Sequence, residues 1–166
     1  MDQTMFKAYL GILRELTKVI EQLTEQTRKK LQEVRADNVK GVDDCIRQEQ
    51  VLSLSLRGLE QRRGKALKAL GLDGVPLSGL IEHAPTELRT ETVETVRNLR
   101  GSYESYTAAS SAARAALERV LHQIDRMLAT EKQAAQAREA VRQNPRQVAQ
   151  EPPAPPPGGH GADFKA

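Results

Sequence analysis

The chain has 166 residues, 28% of them charged and 3% aromatic, with no tryptophan. Its 25 basic and 22 acidic residues leave a net charge of +3, too small to demand a nucleic acid or an anionic membrane as partner. A single cysteine, Cys45, excludes an internal disulfide and suits a reducing cytosol. Ala, Leu, Glu, Gln, Arg and Lys dominate, the composition of long helices packed as a bundle or coiled coil. No stretch approaches the roughly 18 apolar residues of a membrane span. The opening MDQTMFKAYLGILRELTK lacks a basic segment followed by an apolar run, so no signal peptide is expected. The expected location is the cytoplasm, without membrane insertion.

Phe6, Tyr9, Leu10, Leu13, Leu16, Ile20, Leu23, Thr27, Leu31 and Val34 recur at three- and four-residue steps. They predict a first helix over about 4–36. A second, over about 38–70, must follow as an antiparallel hairpin because the connection is so short. Its centre, LSLSL at 52–56, alternates like a half-buried strand. The wider stripe of Val42, Cys45, Ile46, Leu52, Leu56, Leu59, Ala66, Leu67 and Leu70 has helical spacing and outvotes it. Leu54 then falls on the opposite face. Asp37 is read as the N-cap and Gly71 as the C′ glycine. Acidic residues early in this helix and basic ones late complement the helix dipole. Gly58 and Gly64, each costing about 1 kcal/mol relative to alanine, are read as points of close backbone approach.

GLDGVP at 71–76 is a turn cluster, and residues 77–83 allow only a short helix before Ala84-Pro85. The third long helix, over about 86–143, carries the stripe Leu88, Val96, Leu99, Tyr103, Tyr106, Ser110, Ala113, Leu117, Leu121, Ile124 and Leu128. Asn144-Pro145 stops it. The remaining proline- and glycine-rich segment, residues 144–166, cannot bury a core and is expected to be a disordered tail. The fold class is therefore all-α. Residues 1–143 should form an elongated antiparallel three-helix bundle or coiled coil.

Length arithmetic singles out one stretch. Two helices of roughly 33 residues span about 50 Å each at 1.5 Å per residue. A third helix starting level with the end of the second passes the hairpin turn near residue 119. Val120, Leu121, Ile124, Met127 and Leu128 then form an apolar stripe with nothing left to cover it, a docking surface or an oligomer seam; together with Leu117 just before them they are the candidate binding residues. The small-residue run TAASSAARAA, residues 107–116, reads either as close helix packing or as a shallow groove for a guest helix.

Chemistry is not visible. His83, His122 and His160 lie far apart without partners at metal-ligand spacing, so neither a metal nor a cofactor is expected. Asp43 and Asp44 are adjacent on a helix and point apart. Cys45 sits on an apolar stripe without a histidine nearby, and the hydroxyls of SYESYTAASS have no base beside them. No catalytic residue can be named, and no enzyme is expected. The basic cluster LEQRRGKALK lacks aromatic partners and any nucleic-acid motif, and reads as a solvated helix end.

Four segments together resemble the FlgN family of flagellar export chaperones: YLGILRELTKVIEQL, IRQEQVLSLSLRGLEQRRGKALKALGL, LSGLIEHAPTEL and LERVLHQIDRML. Within the second, Glu49, the leucines at 52, 56 and 59, Glu60, Arg63 and Leu70-Gly71 match the family's recurring positions. The third helix departs from it, with alanines and serines where relatives commonly place asparagines. The resemblance covers about residues 5–130. It implies a cytoplasmic chaperone of bacterial flagellum biogenesis and type III secretion, without ATPase activity. Its implied partners are the C-terminal amphipathic segments of the hook-associated junction proteins FlgK and FlgL, and the flagellar export gate. In the family the C-terminal helix recognises cargo, the same stretch that the length arithmetic leaves uncovered. Two other readings stay open: a structural coiled-coil adaptor self-associating through the third helix, and a basic-helix nucleic-acid binder.

Overall fold

The computed structural model describes residues 2–144; all of the expected disordered tail, residues 144–166, except Asn144 lies outside the described residues. Among them there is no strand, and the chain is all-α. Its elements are α1 (Gln3–Arg35), α2 (Val39–Ala69), a 3-10 turn (Leu77–Gly79), α3 (Leu80–His83), a second 3-10 turn (Thr86–Leu88) and α4 (Arg89–Gln143). They fall into two compact units, Met1–Leu121 and His122–Ala166.

In the first unit, α1 starts at Asp2, whose side chain accepts from the Thr4 amide at 2.9 Å. The expected stripe from Phe6 through Leu23 is buried, as is Thr27, while Leu31 and Val34 are half-buried. The α1–α2 connection corrects the sequence reading. Asp37 is not the N-cap of α2; it adopts φ +53° as the left-handed residue that ends α1. Its amide donates to the Val34 carbonyl, and the Asn38 amide to that of Glu33, the paired bonds of a Schellman motif. Asn38 is also the N-cap of α2, accepting from the Gly41 amide at 3.2 Å. Asp and Asn both tolerate the left-handed region and both cap helices, so their order could not be settled from composition.

α2 returns antiparallel to α1, pairing Thr27 and Lys30 with Glu49 near the turn and Glu15 with Arg62 farther away. Cys45, Leu59 and Leu67 are its buried residues, while Val42, Leu52, Leu56, Ala66 and Leu70 are half-buried. Ile46 is exposed, against expectation, and Leu54 is exposed, as its phase requires. Gly71, at φ +70°, closes α2 with a second Schellman pair, Gly71 to Lys68 and Leu72 to Leu67. Gly58 and Gly64 are not points of close approach among the described residues. A Cβ on either would meet nothing within 4 Å.

One cluster holds the first unit together. Phe6, Tyr9, Leu10, Leu13, Leu16 and Ile20 of α1 meet Leu59 and Leu67 of α2 and Val96 and Leu99 of α4. Leu72, Leu80 and Ala84 from the α2–α4 connection belong to the same cluster. Polar side chains on α4 also go inside: Thr92 and Ser102 are buried, their hydroxyls donating to the carbonyls of Leu88 and Asn98 one turn back. That local bond satisfies the hydroxyl and lets a small polar residue occupy a core position. Tyr103, expected on the stripe, is 40% exposed, and Ser102 takes the inward place.

In the second unit α4 continues through Gln143, and every residue from His122 to Asn144 is exposed. The Asn144 amide donates to the Ala140 carbonyl and completes the last turn.

Candidate functional site

The six residues singled out from sequence divide between the units. In the first, Leu117 and Val120 are half-buried and Leu121 is 61% exposed. In the second, Ile124, Met127 and Leu128 are 45%, 59% and 58% exposed. All six are carried on α4, and the last partly buried residue of that helix is Val120. Scattered exposed leucines need no explanation. Consecutive large aliphatics at i, i+3 and i+4 with no cover do, because such a face is stable in water only at a continuing cost of hydrating it.

Within the first unit, Leu117 and Leu121 border a groove of about 430 Å³ between α4 and the α1–α2 hairpin. Leu23 and Thr27 of α1, and Ser110 and Ala113 of α4, form other parts of its wall. The small-residue run therefore contributes both packing, since Ala113 is buried, and open space beside it. Lys30 and Glu49 also line the groove, joined at 2.6 Å with both side chains less than a fifth exposed. Thr27 donates to the other Glu49 oxygen at 2.8 Å. On the α4 side the groove mixes Ala113, Leu117 and Leu121 with Arg114 and Glu118, and on the hairpin side it is fixed by a largely desolvated ion pair.

Sequence reasoning marked Glu49 but missed its partners. The signal lay in Thr27 and Lys30, three apart on α1, facing a carboxylate at the matching height of an antiparallel helix.

A second polar cluster sets where α4 lies. The Arg63 guanidinium donates to Glu60 at 2.9 Å and its charge acts on the buried Tyr9 hydroxyl, while the Tyr103 hydroxyl reaches Glu60 at 3.5 Å. Residues of α1, α2 and α4 therefore share one network. Burial pushes the Tyr9 hydroxyl above the ordinary tyrosine range, against the opposing pull of Arg63. Burial works against the charge of Arg63, yet its bond to Glu60 and the pull of Tyr9 outweigh it and hold the guanidinium more firmly protonated. Burial also raises the Cys45 thiol, which is 2% exposed. Among the described residues no group of three or more His, Cys, Asp or Glu side chains could hold a metal. No helix among them is long and apolar enough to cross a membrane.

Glu60 and Arg63 are among the positions that carried the family resemblance, and here they have a structural task. The sequence model of the FlgN protein family matches residues 1–147. The chain belongs to the FlgN family. Membership makes it a flagellar export chaperone in general terms, a role in keeping with a helical chain that leaves an apolar helix face uncovered. No curated protein and no solved structure matches it.

Proposed function

We propose that this FlgN-family chain holds the C-terminal amphipathic segments of the junction proteins FlgK and FlgL, prevents their aggregation in the cytoplasm, and delivers them to the flagellar type III export gate. In this reading the first part of α4 completes a three-helix bundle with the hairpin. Cargo docks on Leu117, Val120, Leu121, Ile124, Met127 and Leu128. The observation that carries the reading is the exposure of Leu121, Ile124, Met127 and Leu128 in a row on a helix that buries Val96 and Leu99 earlier along its length.

A guest helix supplies the missing cover. Its apolar anchors at helical spacing provide affinity, and the charges beside the stripe, Glu118, Asp125 and Arg126, set its direction. Release requires no bond chemistry, only an affinity moderate enough for competition at the gate.

The test is binding of a FlgK C-terminal peptide to the full chain and to the Leu121→Ser/Leu128→Ser variant. Burying a leucine contributes about 1.5–3 kcal/mol, so losing both should weaken binding by on the order of a hundredfold or more. Thermal stability should stay nearly unchanged. Undiminished affinity in a stable variant would remove the stripe as the site and leave the groove beside Ala113 as the alternative. The same stripe also supports self-association. Sedimentation of the cargo-free chain distinguishes that reading, which requires a concentration-dependent dimer that the double variant abolishes.

A further inference from the structure

The outward face of α2, opposite the core, carries the half of LSLSL that neither the fold nor the cargo stripe uses. Lys40, Arg47, Val51, Leu54, Gly58 and Lys65 recur along it at steps of three, four or seven residues, and all are exposed. Val51 is 59% and Leu54 68% exposed, two aliphatics one turn apart with no cover among the described residues. Gly58 follows one turn later. Glycine is the poorest helix former after proline, and no packing among the described residues requires it, since a Cβ there would meet nothing within 4 Å.

Charge on this face is predominantly basic. Lys40, Arg47 and Lys65 lie on it and Arg57 and Lys68 flank it, against two exposed acids, Asp43, bonded to Arg47 at 2.8 Å, and Asp44, seven residues before Val51. Lys68 reaches Asp73 only at 4.0 Å. Arg57 and Lys65 make no ion pair among the described residues.

We propose that the outward face of α2 is a second docking surface, separate from the cargo stripe, that receives an acidic amphipathic helix of a partner protein. Val51 and Leu54 meet the apolar residues of that helix. Gly58 leaves a flat spot where its backbone can come close, as small residues do at close helix crossings. Arg57 and Lys65 meet carboxylates flanking its apolar stripe, which fixes orientation and speeds encounter.

The features separate this occupant from two other anionic classes. A nucleic acid would use the basic residues but has no use for a central aliphatic pair, and the face has no aromatic for stacking. A membrane surface needs a broad apolar face to sink into the headgroup boundary, and the broad apolar face of α2 is turned to the core.

The experiment places a photoreactive benzophenone amino acid at Leu54 of the full chain in flagellated cells, with the same probe at the exposed Gln22 as control. The expected adduct at position 54 maps by mass spectrometry to a helical segment of another protein with net negative charge. Its yield should fall by about tenfold in a Gly58→Gln background, the scale of a disrupted interface centre. That substitution should not lower the melting temperature, because it removes a glycine from a helix interior. The yield should also survive Leu121→Ser/Leu128→Ser, which separates this surface from the cargo stripe. The proposal is overturned by an adduct no stronger than at Gln22, by adducts to nucleic acid, lipid, a second copy of this chain or a segment without negative charge, by a yield indifferent to Gly58→Gln, or by its loss in the stripe variant.

Discussion

Arg89–Ala113 and Leu121–Gln143 are stretches of the same helix with similar signals in sequence and opposite fates. Val96 and Leu99 in the first are at most 4% exposed; Leu121, Ile124 and Leu128 in the second are 45–61% exposed. Helical periodicity is present in both. The difference lies in what is available to meet it: the first stretch has Phe6, Leu10, Leu13 and Leu59 in the same cluster, whereas no residue of the second is even half-buried. An amphipathic pattern states that a face requires cover. It does not state whether the cover comes from the same chain.

The contrast can be broken first at its buried end. Leu10→Ala removes a fully buried side chain from the cluster that α4 shares, and should cost about 2–5 kcal/mol, read by urea denaturation followed by circular dichroism. A loss below about 1 kcal/mol would mean that the cluster is looser than its burial implies. Next comes Glu49→Ala, which leaves Lys30 and Thr27 without their acceptor in a largely desolvated groove wall. About 1–3 kcal/mol should be lost, and Lys30→Met in the same chain should recover part of it by removing the unpaired charge. Gly71→Ala forces a side chain into the left-handed region at φ +70° and should cost about 1 kcal/mol in thermal melting.

Alkaline titration sharpens the comparison further, since the network at Tyr9 lies wholly in the first unit. The folded state holds the Tyr9 proton more tightly than the unfolded chain does. Its stabilising effect is therefore complete below the ordinary tyrosine value of about 10 and is lost as pH rises through the raised folded value. Tyr9→Phe should flatten the fall in stability above pH about 10 while leaving the neutral-pH slope unchanged. The smallest effect is expected from Leu128→Ser measured without cargo, a change within about 0.5 kcal/mol. An early melt for this variant would show that the exposed stretch has structural cover after all.

Much of the fold was legible because long helices repeat their signals. Ten apolar or threonine positions on α1 fixed its face, and Leu54 was placed outside by phase alone. The failures have separate physical causes. At Asp37-Asn38 two residues suited to the same two tasks stand side by side. Thr92 and Ser102 read as polar, yet each satisfies its hydroxyl one turn back and goes inside. Leu80 and Ala84 complete the core from a connection whose role depends on tertiary placement, which no local pattern encodes. For the candidate site, the exposed leucines followed from spacing and length. The groove and its Lys30–Glu49 wall required three helices to be seen together.

The continuity of α4 has a kinetic consequence. An isolated helix must form its first turn at a large entropic cost, whereas a helix already held at one end lengthens one hydrogen bond at a time. The packed stretch up to Ala113 therefore serves as the nucleus for the 30 residues that follow within the 55-residue helix. With no side-chain burial beyond Val120 to resist opening, amide hydrogens should exchange progressively faster from Leu121 toward Gln143, each successive turn protected only by the one before it. A guest seated near Leu128 would halt that gradient at its own position, so the point where exchange resumes would mark how far along the helix the cargo reaches.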